Sequence, residues 1–176
     1  MNSRSFTRFI ALLLAGCVTF PAQADDPVMA EKSSVQAAFL YNFALFTEWP
    51  SLPENAFSFC VLADDHLLEA LASLKNKQMK DRPILIRRIE SSNQARNCQI
   101  LFVGASAHQS VKDIAAQIGT DPVLLVADED SAAMPEVVIL LREQQNRISF
   151  KINRTEASKR SMTFSSKLLR LATQVY

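Results

Sequence analysis

With 176 residues, 48% of them hydrophobic and 21% charged, the chain has the apolar mass for one domain with an ample core and too much of it for a disordered segment. A formal net charge of +1, with acidic and basic residues interspersed, excludes the basic footprint of a nucleic-acid binder. Only three glycines occur, Gly16, Gly104 and Gly119, which excludes the glycine-rich cradles of dinucleotide and P-loop enzymes.

The chain opens like an export signal. Arg4 and Arg8 form a positive region, residues 9–14 an apolar one, and Ala22-Gln23-Ala24 a small-x-small cleavage site. Cleavage there gives a leader at 1–24 and a single domain at 25–176, with 17 basic residues against 18 acidic ones. The apolar run is too short to span a bilayer. A second exit competes, because Leu14-Ala15-Gly16-Cys17 has the form of a lipobox in which Cys17 would be lipidated. Both place the protein beyond a bacterial inner membrane. There, Cys60 and Cys98 most simply form one disulfide, the alternative being two buried thiols.

Residues 25–32 read as a flexible lead-in. Ser33 and Gln36 then have the spacing of a capping box, predicting a helix that begins there and is stopped by Pro50. Val35, Phe39, Phe43 and Phe46 form its apolar stripe, with Tyr41 and Leu45 off it, so the helix is expected to be buried on more than one side. Strands follow at 57–63, 83–89, 100–103 and 122–127, alternating with helices at 67–74, 92–97 and 106–118, the last opened by Ser106 and closed by Gly119. That alternation predicts parallel pairing through crossovers. Residues 137–141 and 147–152 break the rhythm and read as an antiparallel hairpin around Asn146. Short helices at 155–160 and 166–172 complete an α/β fold: a three-layer αβα sandwich on a mixed, mostly parallel sheet.

Chemistry is sparse. Gly104-Ala105-Ser106-Ala107-His108 has part of a nucleophile elbow, but its final glycine is absent and His66 is the only other histidine; an N-cap serine accounts for the same residues. No His-x-x-x-His or Cys-x-x-Cys spacing points to a metal, and no cofactor is expected. Asp64, Arg87 and Asp128 fall at strand ends, the ligand-binding edge of an open α/β sheet, and are a weak candidate site.

Four stretches, taken together, resemble the YfiR-like family of periplasmic proteins. VQAAFLYNFALFTEWP at 35–50 is similar to the family's "aaflynfakFveWP", and FCVLADD at 59–65 to its first strand. NCQILFVG at 97–104 matches the strand that carries the partner of Cys60, namely Cys98. ISFKINRTEASKRSMTFSSKLLRLA at 148–172 matches the closing "vrFeIN…A…g…iSskLLrLA". The resemblance implies a non-catalytic repressor that binds the periplasmic portion of an inner-membrane diguanylate cyclase, lowers cyclic-di-GMP and biofilm formation, and is sequestered by an outer-membrane lipoprotein. It also implies homodimers and a disulfide whose state affects stability and activity. Residues 130–136 (DSAAMPE) depart from the family's glycine-rich loop, and a second disulfide found in part of the family has no cysteines here. The aromatic set Phe39, Tyr41, Phe43, Phe46 and Trp49, with Ser165, Ser166, Lys167 and Leu168, is the candidate partner surface, since aromatics anchor interfaces; a core role is the alternative. The rival functional reading is a periplasmic small-molecule sensor or carrier using the strand-end site.

Overall fold

The computed structural model describes residues 27–129, 134–144 and 147–176. The expected leader, the lipobox, the turn at Asn146 and residues 130–133 of the divergent loop lie outside them.

The first helix, α1, spans Pro27–Phe46. It starts two turns before the expected capping box, with Pro27 at the first position, where a missing N–H costs nothing. Residues 27–32, expected as a flexible lead-in, are therefore helical. Ser33 and Gln36 resembled a cap because they are polar, yet both are almost fully buried inside the helix. The buried stripe also differs from the expected one. It runs through Ser33, Gln36, Ala37, Leu40, Phe43, Ala44 and Thr47, while Val35 faces solvent and Phe39 and Phe46 are half-buried. The helix ends at Phe46, before Pro50, because the chain turns into a two-residue strand, β1 (Thr47–Glu48). Thr47 secures that end by donating its hydroxyl to the Phe43 carbonyl at 2.7 Å.

Next come β2 (Phe57–Leu62), α2 (Asp65–Leu71), β3 (Gln78–Met79), β4 (Arg82–Arg88), β5 (Ile100–Val103), α3 (Val111–Ile118) and β6 (Leu124–Asp128). The second half adds β7 (Ile139–Gln144), β8 (Arg147–Ile152), α4 (Arg154–Lys159), β9 (Thr163–Phe164), α5 (Ser166–Leu171) and β10 (Gln174–Val175). The main sheet has the order β10-β8-β7-β6-β5-β2-β4-β3. Strands β4, β2, β5, β6 and β7 are parallel, and β8 returns antiparallel to β7. The hairpin is as expected; the short β10 beyond it, parallel to β8, had no signal in the sequence.

Strands β2 and β5 are buried at every residue, as parallel strands covered on both faces must be. From β2 the chain moves outward to β4, then crosses back to β5 and proceeds to β6 and β7. Right-handed crossovers in opposite directions put α2 and α3 on opposite faces, giving the expected three layers. α1 packs beside α2, and the connection at 92–97, a 3₁₀ turn, packs beside α3. The segment Ala105–Ser110 is a 3₁₀ helix, so Ser106 does not cap α3, which begins only at Val111. Gly119 closes α3 with a positive φ of 57°, as its position predicted.

Two features hold the layers. Cys60 in β2 is joined to Cys98, just before β5, with 5.8 Å between Cα atoms and both residues buried. The C-terminal segment clasps α1: β9 pairs antiparallel with β1, and the Ser165 amide donates to the Phe46 carbonyl at 2.9 Å. Inside, Phe39, Phe43 and Phe150 form one cluster with ring centroids 5.0–5.9 Å apart, two of the contacts edge-on.

On the amino edge of the sheet, Arg160 is buried with 1% exposure. Its guanidinium donates to Glu156 Oε1 at 2.9 Å, to the Glu136 carbonyl at 3.3 Å and to the Val123 carbonyl at 3.4 Å. Burial pulls its pKa below the usual arginine value, with Glu156 opposing the shift. One side chain thus ties α4 to the segments that feed β6 and β7.

Candidate functional site

The order of the sheet reverses at β2, so the crevice beyond the carboxyl ends of β2 and β5 is its topological switch point, the usual ligand site of an open α/β sheet. The backbone there is unusually close-fitted. Ala63 follows β2 with a φ of 59°, a left-handed conformation that costs a non-glycine residue of order 1 kcal/mol or more. Gly104 follows β5 and donates its N–H to the Leu62 carbonyl at 2.8 Å. A Cβ on Gly104 would lie 2.3 Å from the Ala63 carbonyl oxygen, so only glycine fits. Ser106 Oγ donates to the same carbonyl at 3.4 Å, an anchoring contact rather than the posture of a nucleophile.

Asp64 and Asp128 both reach this edge. Asp64 caps α2, accepting the Leu67 N–H at 2.9 Å. Asp128, the last residue of β6, accepts from Nε2 of Gln36 at 2.9 Å across 92 residues of sequence. That contact explains why Gln36 lies buried in the middle of α1. Burial pushes the Asp128 carboxyl above the usual aspartate range; Asp64 adds to the rise, while Lys32, His108 and the Gln36 hydrogen bond oppose it. Burial also works against the Lys32 charge, but its 2.9 Å bond to Glu143, with Asp128 and Asp64 behind it, leaves its pKa above the usual lysine value.

Asp128 is followed by two more acidic residues: Glu129 is bound by Lys151 at 2.6 Å and Arg142 at 2.5 Å, and Asp130 lies outside the described residues. Arg87 is separated from Asp128. It sits on β4, three strands from β6, a lateral distance of about 14 Å at ~4.8 Å per strand. Its neighbour Arg88 pairs with Asp65 instead. Among the described residues, no group of three or more His, Cys, Asp or Glu is arranged to hold a metal ion.

The raised carboxyl of Asp128 has a consequence for stability. The folded state binds this proton more tightly than the unfolded chain, so its contribution falls as pH rises from 3.8 through the folded-state pKa. Asp128→Asn keeps an acceptor for Gln36 and removes the charge. It is therefore expected to raise the melting temperature at pH 7, with the gain shrinking as pH is lowered toward 3.8; thermal unfolding at several pH values checks this.

The aromatic set divides. Phe43 and Leu168 are in the core and support the surface from beneath rather than form it, which corrects their inclusion there. Tyr41 is half-buried on the α2 side of α1, with Lys77 Nζ 5.8 Å from its ring centroid. Phe39 leans on Phe43 and Phe150, and Trp49 meets Phe57 edge-on at 5.2 Å. Phe46, Ser165, Ser166 and Lys167 do come together where α1 meets α5. Lys167 Nζ lies 5.0 Å over the Phe46 ring, Ser165 caps α5, and Ser166 and Lys167 are exposed. Leu45 and Leu171, on the same two helices, are exposed by 43% and 62%. The latter two were missed because an exposed leucine at a helical apolar position looks like core.

No helix among the described residues is long and apolar enough to cross a membrane. No curated protein matches the chain. A family model described as YfiR/HmsC-like matches residues 33–173, from the second turn of α1 to the segment just after α5. With the match covering nearly all of the α/β domain, the chain belongs to the YfiR/HmsC-like family.

Proposed function

We propose that this protein is a periplasmic regulator that represses a membrane-bound diguanylate cyclase, or a similar sensor, by binding its periplasmic region. The observation that carries this reading is the family match across 33–173. A regulator of this kind works by differential affinity: it holds the sensor in its inactive arrangement only as far as it binds that arrangement more tightly. The face proposed for the contact is the α1–α5 junction, where Lys167 lies over Phe46 next to Ser166, on the two helices that also carry the exposed Leu45 and Leu171. An aromatic ring under a lysine, on helices with exposed leucines, offers the apolar centre and polar border of a protein interface. Homodimers and capture by an outer-membrane lipoprotein belong to the same proposal.

The test is genetic. Deleting the gene should raise cellular cyclic-di-GMP and biofilm mass, and the wild-type chain should restore both. A Phe46→Ser, Lys167→Glu variant that folds normally should fail to restore them. Unchanged cyclic-di-GMP after deletion would rule out the repressor reading, and full restoration by the variant would move the contact to another face.

A further inference from the structure

Three observations converge on the crevice between the first half of α1 and the carboxyl ends of β2, β5 and β6. It is the topological switch point of the sheet. It holds two carboxylates, Asp64 and Asp128; of the two basic side chains that act on Asp128, Lys32 is bound to Glu143 at 2.9 Å and His108 is the other. Third, Gln36 has 1% exposure, and the amide that donates to Asp128 leaves its own Oε1 without a partner among the described residues. A buried acceptor left unpaired is destabilising, and a donor arriving beside Asp128 would satisfy it.

Gln36 Oε1 and the two carboxylates accept hydrogen bonds, and an anion would face repulsion from both aspartates. A divalent cation would need ligands that the described residues do not group. What fits is a compact organic cation whose N–H groups satisfy several acceptors at once. We propose that this crevice binds a small primary amine, its ammonium held between Asp128 and Gln36 Oε1 with Asp64 adding charge. This site stands apart from the α1–α5 face and does not depend on the repressor reading. The cost of burying Asp128, which its neutral replacement should remove, is then the cost of keeping an anion ready for the ligand. Sites that hold charge for a ligand trade stability for function in this way.

Calorimetric titration of the domain with ethanolamine and with putrescine tests the proposal, with acetate, inorganic phosphate and glycerol as comparison probes. The expected result is saturable binding of at least one amine and none of the comparison probes. Asp128→Asn, expected to fold and to be the more stable protein, should weaken that binding roughly tenfold or more, as loss of a charge-assisted partner does. Gln36→Met should also weaken it, while Arg87→Ala, on β4 three strands from Asp128, should leave the contact with Asp128 and Gln36 intact and the binding within twofold of wild type. Absence of amine binding, equal binding by Asp128→Asn, or preferential binding of acetate or phosphate would each overturn it.

Discussion

Arg160→Ala is expected to destabilise the domain by about 3–5 kcal/mol, the cost of breaking a buried ion pair from one side. The side chain is 1% exposed and makes three hydrogen bonds, to Glu156 and to the carbonyls of Glu136 and Val123. Its removal strands two backbone acceptors at the amino edge of the sheet. It also leaves Glu156 with only Lys159, whose side chain is 63% exposed and supplies little in water. For a domain of this size the loss corresponds to a fall in melting temperature of roughly 6–20 °C. Removing both charges tells the two contributions apart. Arg160→Met with Glu156→Leu should recover most of the stability, because an apolar pair of similar volume replaces a pair that was costly to desolvate. Urea denaturation of the three proteins checks this, and a loss below about 1 kcal/mol in the single variant would show that the guanidinium is not holding the edge together.

Breaking the Cys60–Cys98 bridge is expected to cost about 4 kcal/mol on the chain-entropy account, because the bond closes a 38-residue separation in the unfolded chain. Cys60→Ala with Cys98→Ala measures this without placing new polar groups in the core. The melting temperature should fall by about 8–16 °C, and the dependence of stability on urea should steepen as the unfolded chain expands. Both cysteines are only 1% exposed, so reductant reaches them when the fold opens. Reduction under native conditions should accordingly be slow and should speed up with added urea. Equal stability of the bridged and bridgeless proteins would show that the bond records proximity in the fold and contributes nothing to it.

The six longer strands, β2 and β4 to β8, were legible in the sequence because each carries a short run of aliphatic or aromatic residues bounded by polar ones, whereas the two-residue strands β1, β3, β9 and β10 carry no such run. What could not be read were long-range polar contacts. Ser33 and Gln36 had the spacing of a cap, and only the arrival of Asp128 from 92 residues away makes a buried glutamine the better outcome. Glu156 and Arg160 fell inside the expected short helix at 155–160, and nothing local says that the Val123 and Glu136 carbonyls will meet the guanidinium. Likewise the candidate aromatics were read as one group because they are neighbours in sequence, whereas a helix sends Tyr41, Phe43 and Phe46 in three directions. The strand-end site was half legible. Asp64 and Asp128 were placed by position in an α/β sheet, but Arg87 could be separated from Asp128 only once strand order was known.

The pairing of β1 with β9 bears on when the molecule can become whole. A chain is made amino end first, so α1 exists long before residues 163–168 that clasp its far end. Until they arrive, Phe46 and its neighbours have no lid, and the central β2 waits for β5 to supply its second neighbour and the partner of its cysteine. Contacts this distant in sequence make folding slow and leave apolar surface open to other chains meanwhile. Residues 163–176 therefore act as a completion signal: truncation before residue 163 should leave an unfinished, aggregation-prone first helix.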